Sequence, residues 1–294
     1  MTGLFYGAGT AVVTPFRGGK VDYEAFGNLI KKQLEAKIAA LIVAGTTGEA
    51  STLTESEKIA LVEQAKEMCK GKIPVIAGAG ANNTETCVKN AAAMEKAGAD
   101  AILCVTPYYN MCSREGLKAH FLSVANAVSL PVILYNVPAR TGVSLEADTA
   151  GELFKHPRIP AVKEAASDFS KAMKMANLSM DGAYVYSGND NMTLALMALG
   201  ACGVISVVSN AAPEQMHRMT DACLSGDFEK ARKENMGLMP LMDLMKADVN
   251  PIPIKAVLSV MGLIQNEMRL PLTPLAGEKM KAIEEFVKNH PEIS

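Results

Sequence analysis

Lys163 ends the apolar run Ile159-Pro160-Ala161-Val162, which makes it the candidate nucleophile of this chain. A free lysine amine, with a pKa of about 10.4, is neutral in only about one molecule in a few thousand at pH 7. Burial among Ile159, Ala161 and Val162 disfavours the charged form and raises the neutral fraction. A neutral amine can attack a ketone and form a Schiff base. The competing reading is a lysine that reaches solvent or pairs with the adjacent Glu164. Tyr135 weighs against that reading, because it ends the preceding apolar run, Val132-Ile133-Leu134. Carbinolamine and imine formation need protons moved on and off one oxygen, and a phenol can do both. Thr46-Thr47 after Leu41-Ile42-Val43-Ala44-Gly45, and Tyr108-Tyr109 after Ile102-Leu103-Cys104-Val105, add hydroxyls at equivalent positions. Any one of these tyrosines alone reads as a rim aromatic with its hydroxyl satisfied. Their agreement across several runs suggests a hydroxyl relay to bulk water that needs neither carboxylate nor imidazole.

Two segments have the makings of carboxylate sites. Gly45-Thr46-Thr47-Gly48-Glu49 is a glycine-flanked turn whose threonines present hydroxyls and amides to an anion. Arg140 follows Tyr135 on the proline-stiffened loop Asn136-Val137-Pro138-Ala139-Arg140-Thr141-Gly142, where a guanidinium can hold a carboxylate bidentately. Ser187-Gly188-Asn189-Asp190 and Ile205-Ser206 end two further runs and would close the pocket with backbone groups. Gly78-Ala79-Gly80, with Asp100 about twenty residues on, imitates a dinucleotide fingerprint. Asn83 stands where the third glycine should be, and Asp100 precedes its strand instead of ending it, so no dinucleotide site is expected.

Such side chains need a scaffold that delivers strand ends to one face. Strands are expected at Gly7–Val13, Ala40–Ala44, Pro74–Gly78, Ala101–Val105, Val132–Asn136, Ala161–Lys163, Tyr184–Ser187 and Gly203–Ser206, with helical patterns of about a dozen residues between them. The first helix runs from Val21-Asp22 to Ala36. Thr54-Glu55-Ser56-Glu57 is a capping box, and Thr84 with Glu85, Ser144 with Glu146, and Pro213-Glu214 are similar starts. Gly71, Gly98 and Gly226 stand where helices stop. Eight strand–helix units close a (β/α)8 TIM barrel, an α/β fold in which strand tops carry catalysis. From Asp227 onward only helices are expected, at Phe228–Met245, Ile254–Met261 and Gly277–Asn289. The chain thus divides into a barrel of residues 1–226 and a C-terminal helical domain of residues 227–294.

Composition narrows the partners. Of 294 residues, 49% are hydrophobic, enough for a large core. With 29 Lys+Arg against 31 Asp+Glu there is no basic excess for nucleic acid or an anionic membrane. The longest apolar run, Ile38 to Gly45, is far too short to cross a bilayer. Met1-Thr2-Gly3-Leu4-Phe5 lacks a basic leader, so a cytoplasmic location is expected. Cys69, Cys87, Cys104, Cys112, Cys202 and Cys223 show no paired spacing, and His120, His156, His217 and His290 are each isolated along the chain. No metal site or disulfide framework is expected from that pattern.

Four motifs together resemble the pyruvate-dependent class I aldolases, the family that includes dihydrodipicolinate synthase and N-acetylneuraminate lyase. They are Gly45-Thr46-Thr47-Gly48-Glu49, Thr106-Pro107-Tyr108-Tyr109-Asn110, Tyr135-Asn136-Val137-Pro138 with Arg140-Thr141, and Lys163-Glu164-Ala165. The resemblance spans essentially the whole chain, from Gly9-Thr10-Ala11 to Asn250-Pro251-Ile252-Pro253-Ile254-Lys255. It is nearer the synthase branch, since the lyases usually carry serine-threonine in the first motif and lack the arginine at the Arg140 position. The resemblance implies a Schiff base between Lys163 and pyruvate, with Tyr135 transferring protons and Thr46 and Tyr109 completing the relay, Tyr109 from a neighbouring subunit. Thr47 and backbone near Ile205 would hold the pyruvate carboxylate, Arg140 would hold the carboxylate of aspartate semialdehyde, and Gly188 would belong to the same substrate-binding set. The implied product is 4-hydroxy-tetrahydrodipicolinate, and the competing implication is another keto-acid aldolase of the same family. A homotetramer built as a dimer of dimers is implied, with no metal or organic cofactor. Lysine-inhibited members carry histidines and a glutamate near positions that here read Glu55, Lys58 and Thr86, while Asn82 and Tyr108 persist. The corresponding regulatory site would comprise Ala50, Ser51, Glu55, Lys58, Asn82, Thr86 and Tyr108. Lys58 opposes the ammonium of a bound lysine, so the implied inhibition is weak or absent.

Overall fold

Eight parallel strands close into a barrel in the computed structural model, which describes residues 4–293. In chain order they are β1 (Gly7–Ala11), β2 (Ala40–Val43), β3 (Val75–Gly78), β4 (Ala101–Val105), β5 (Val132–Asn136), β6 (Ala161–Glu164), β7 (Tyr184–Ser187) and β8 (Gly203–Ser206). Each pairs with its sequence neighbours, and β1 meets β8 with Gly7 opposite Gly203 and Thr10 opposite Ser206. Glycine is required at that seam: a Cβ on Gly203 would lie 1.9 Å from the Gly7 carbonyl oxygen. The expected (β/α)8 barrel is therefore the fold, although Gly7–Val13 is a strand only as far as Ala11.

The strands are apolar throughout because a barrel strand is covered on both faces. Ile42, Ile76, Leu103 and Ile133 point inward with Tyr135 and Tyr186, while Leu41, Val43, Ile102 and Leu134 join the outer core beneath the helices. Phe5 plugs the amino-terminal mouth. Its ring stacks on Tyr186 with centroids 4.4 Å apart, and its backbone N–H and C=O both engage the Tyr186 hydroxyl. That end is sealed, which leaves the carboxyl ends of the strands for chemistry.

Local signals set most helix boundaries. Asp22 caps Tyr23–Glu35 by accepting from the Ala25 amide, and Thr54 with Glu57 forms the expected capping box on Glu55–Cys69. Gly71, Gly98 and Gly226 take positive φ of 74°, 90° and 80°. Two expected starts differ. Asn83, not Thr84, caps Thr84–Lys96, and Glu146 precedes Ala147–Leu153 without a side-chain cap. The C-terminal helices are Phe228–Leu244, Ile252–Val260 and Gly277–Asn289, and their Leu238, Leu241, Ile254, Val257 and Ile283 share the outer core with the barrel. A hairpin of Phe16–Arg17 and Lys20–Val21 is too short to leave an alternation in the sequence.

Histidine and cysteine placement also departs from expectation. His120, isolated along the chain, lies beside Cys104, whose sulfur is 3.4 Å from that of Cys87. All six cysteines are free. Among the described residues no helix is long and apolar enough to cross a membrane.

Candidate active site

Tyr135 on β5 and Lys163 on β6 are register partners, so both side chains leave their strands on the inner face. Both are buried, 6% and 5% exposed, and Lys163 Nζ sits 4.4 Å from the centre of the Tyr135 ring. Alternation along β6 sends Glu164 the other way. Its carboxylate accepts from Asn136 Nδ2 at 2.8 Å and the Ala166 amide at 2.6 Å. Burial pushes the Glu164 carboxyl up, with those hydrogen bonds opposing. Among the described residues Lys163 forms no ion pair, which excludes the reading that pairs it with Glu164.

The lysine needs room, and Gly188 at the end of β7 supplies it. A Cβ there would lie 2.6 Å from Ala165 Cβ, 2.9 Å from the Glu164 carbonyl oxygen and 3.1 Å from Lys163 Cε. Asp190 follows on the same loop. Its Oδ2 accepts from the Val207 and Val208 amides at 3.0 and 3.2 Å, while Oδ1 is shut off from solvent with no hydrogen-bond partner among the described residues. Burial raises the Asp190 carboxyl, and Ser206, the two amides and the charge of Lys163 oppose that rise.

A cavity of about 290 Å³ opens over Lys163, lined also by Thr47, Arg140, Gly188, Asp190 and Asn250. Thr47 Oγ1 accepts from Asn250 Nδ2 at 3.0 Å, and Arg140 donates to the Asn250 carbonyl at 2.9 Å. Arg140 belongs to the helical turn Pro138–Thr141, which ends at Gly142 in the left-handed region (φ 72°). A hydroxyl and a guanidinium from separate loops are thus yoked through one asparagine of the C-terminal region. Such a pair suits carboxylates at two ends of one small pocket.

A second cavity, about 590 Å³, lies on the other side of Tyr135 and is lined by Thr46, Tyr108, Glu55, Lys58, Thr86, Ala50 and Ser51. Tyr135 and Arg140 border both spaces. Burial depresses the Lys58 amine, with Glu55 opposing. Three expected site residues stand apart within the single chain. Tyr109 is 89% exposed with φ of 74°. Asn82 lies outside the larger cavity's lining and accepts from Asn110 Nδ2 through its backbone carbonyl at 2.9 Å. Ile205 is sealed in the barrel interior, and Val207 and Val208 line the smaller cavity in its place.

The side chains of Asp190 and Asn250 escaped the sequence reading. Asp190 carried a signal, since it stands just past β7, but only backbone groups were expected from that loop. Asn250 stands only as the start of the last stretch that carries the resemblance, with no role attached: it meets Thr47 across 203 residues, from the link between two C-terminal helices. Gly78 and Gly80 prove to be close-approach glycines. A Cβ would lie 2.1 Å from the Ala44 carbonyl oxygen at Gly78 and 2.7 Å from the Val105 amide at Gly80, so the imitation fingerprint reflects barrel packing.

A (β/α)8 barrel that holds a buried lysine against a tyrosine at the carboxyl ends of adjacent strands is an aldolase-type lyase. The chain belongs to the dihydrodipicolinate synthetase family, whose model matches residues 4–290. It is 45% identical over 285 residues to the 4-hydroxy-tetrahydrodipicolinate synthase of Alkaliphilus oremlandii, covering 97% of this chain and 98% of the relative. Among solved structures, dihydrodipicolinate synthase from Thermotoga maritima superposes with a TM-score of 0.95 at 42% identity, covering 98% of this chain and 99% of that one. The chloride-inhibited dihydrodipicolinate synthase of Acinetobacter baumannii, complexed with pyruvate, gives 0.94 at 39% identity, covering 97% and 99%.

Proposed function

We propose that this chain condenses pyruvate with L-aspartate 4-semialdehyde on Lys163, giving 4-hydroxy-tetrahydrodipicolinate, the first committed step of lysine and diaminopimelate biosynthesis. The observation that carries the reading is Lys163 Nζ, buried without an ion-pair partner among the described residues, 4.4 Å from the Tyr135 ring centre. The amine attacks C2 of pyruvate, and the carbonyl oxygen leaves as water after protonation through the Tyr135 phenol. Loss of a C3 proton gives the enamine, whose C3 attacks the aldehyde carbon. The incoming oxygen takes a proton through Tyr135. The semialdehyde's amino group then attacks C2, closing the ring and releasing Lys163.

Thr47 suits the pyruvate carboxylate, and Arg140 suits that of the semialdehyde. Thr46 borders the larger cavity next to Tyr135, where a relay would leave the site. Tyr109, exposed within one chain, fits a role at a neighbouring subunit's relay, and a homotetramer in the cytoplasm completes the reading. The division into a barrel of residues 1–226 and a helical domain of residues 227–294 belongs to the same proposal. It is supported by the last barrel helix, Pro213–Leu224, ending before Phe228–Leu244 begins.

Pyruvate with borohydride, followed by peptide mass spectrometry, tests the chemistry: reduction should place one adduct on Lys163, and its absence rejects the Schiff base. Turnover with aspartate semialdehyde, against N-acetylmannosamine and glyoxylate, tests the second substrate. Faster turnover of either competitor would move the chain to another keto-acid aldolase activity.

A further inference from the structure

Outside the barrel mouth, one cluster of reactive side chains has no part in the condensation. Cys104 lies on β4 and its side chain joins the outer core, whereas Leu103 and Val105 on either side line the larger cavity. Cys87 reaches it from the helix Thr84–Lys96 and His120 from the helix Arg114–Ala127. The two sulfurs are 3.4 Å apart, Cys104 Sγ is 3.9 Å from His120 Nε2, and all three ligand atoms lie within 4.8 Å of one another. Each residue is buried, at 0%, 0% and 3% exposure.

A second contact orients the imidazole. Thr84 Oγ1 sits 3.0 Å from His120 Nδ1, which occupies that nitrogen and leaves Nε2 facing the thiols. With Nδ1–H donating to the Thr84 hydroxyl, Nε2 keeps its lone pair for a metal, and a donated bond from the outer nitrogen is how proteins orient a metal-binding histidine. Three secondary-structure elements thus converge two sulfurs and one directed nitrogen on a common point.

We propose that Cys87, Cys104 and His120 form a binding site for a thiophilic d10 metal ion, Cu(I) or Zn(II). The donors are all soft or borderline and none is a carboxylate, which disfavours magnesium, calcium and manganese. Metal–sulfur bonds of about 2.3 Å and a metal–nitrogen bond of about 2.0 Å in a trigonal plane would place the sulfurs about 4.0 Å apart and sulfur from nitrogen about 3.7 Å apart. The sulfurs must open by about 0.6 Å from their contact distance, while Cys104 Sγ and His120 Nε2, at 3.9 Å, are already close to the required separation. On ligation each thiol gives up its proton to solvent, so the two thiolates neutralise Zn(II) and leave one net negative charge with Cu(I). Three protein donors suit Cu(I) as they stand, and Zn(II) would recruit a water as its fourth ligand.

The test uses the full-length protein, stripped with chelator under reducing conditions and then given Zn(II) or Cu(I) alone, with Cd(II) as spectroscopic probe. One ion per chain should survive gel filtration, raise the melting temperature and, with Cd(II), give a thiolate charge-transfer band. Cys87→Ala and His120→Gln should each abolish retention, and folding of each is checked by circular dichroism. Thr84→Val should weaken retention about tenfold while keeping all three ligands. Cys223→Ala, remote from the cluster, should change nothing. The proposal is overturned if no ion is retained, if retention survives Cys87→Ala, if it is lost instead in Cys112→Ser, or if Cys87 and Cys104 are recovered joined as a disulfide.

Discussion

Lys255 Nζ lies 2.5 Å from Glu49 Oε1 with neither side chain exposed to solvent, a contact that spans 206 residues. Lys255 also donates to the Thr14 carbonyl at 3.0 Å and stands 4.4 Å from the centre of the Phe16 ring. Glu49 closes the turn that carries Thr46 and Thr47, and it holds φ of 53°, a left-handed conformation that costs a non-glycine residue about 1–2 kcal/mol. The ion pair therefore fixes the turn that sends one threonine to each cavity. Burial depresses the Lys255 amine, and the Glu49 carboxylate opposes that fall.

Glu49→Gln leaves Lys255 charged in an enclosed site, and breaking a buried pair in this way costs about 3–5 kcal/mol. Lys255→Met alone strands the carboxylate at a similar cost. The double variant should be more stable than the sum of the single losses predicts, because no lone charge remains. Denaturant unfolding of all four proteins gives the coupling, and simple additivity would show that the two groups act independently.

Tyr135→Phe keeps the ring beneath Lys163 Nζ and removes only the phenol oxygen. On the proposed mechanism kcat should fall by about 10²–10⁴-fold, the range for loss of one positioned acid–base group. Borohydride trapping of pyruvate should slow in parallel, with the melting temperature nearly unchanged. Undiminished turnover would remove Tyr135 from the proton path.

Barrel and nucleophile were legible in the sequence for one reason. A strand covered on both faces must be almost wholly apolar, so a lysine or tyrosine at its end stands out. Register then brings Tyr135 and Lys163 together with no further information. Contacts across long stretches of chain leave no such mark. Asn250 on Thr47 and Lys255 on Glu49 depend on how the C-terminal helices dock, and no periodicity encodes that. His120 looked isolated for the same reason, since its partners Cys87 and Cys104 come from other elements. Thr84 looked like a cap because its type suits one, yet Asn83 takes the role and the threonine hydroxyl meets His120.

Gly188→Ala tests the space beneath the amine. The added methyl would sit 2.6 Å from Ala165 Cβ and 2.9 Å from the Glu164 carbonyl oxygen, neither of which can swing aside, so the loop must shift and Lys163 with it. A misplacement of about 1 Å at a reacting centre costs about 10²-fold in rate. The pyruvate adduct should form at least as slowly as that, and retention of wild-type rates would mean that the loop relaxes away from the lysine.

L-Lysine should inhibit weakly or not at all. The larger cavity presents Lys58 together with Glu55, so an incoming ammonium meets a cation already there. Initial rates measured across a lysine titration decide this, and half-inhibition at micromolar concentration would contradict it. Lys58→His should strengthen whatever inhibition exists, because an imidazole is mostly neutral at neutral pH and can accept a hydrogen bond from an ammonium.

Acid should weaken the fold partly through Glu57. Arg269 Nη2 and Nη1 grip its two oxygens at 2.6 and 2.8 Å, and that hydrogen bonding, helped by the Thr54 amide against some desolvation, lowers the carboxyl from 4.5 to about 2. A carboxyl whose folded pKa is depressed stabilises fully above its unfolded value, and the contribution fades as pH falls through the folded one. The window is therefore about pH 4.5 down to about 2. Both side chains are 20% exposed, so solvent screens part of the effect. Denaturant midpoints of wild type and Glu57→Gln should be well separated at pH 6 and converge towards pH 2. A gap that stays constant over that range would mean that the Glu57 charge does not stabilise the folded chain.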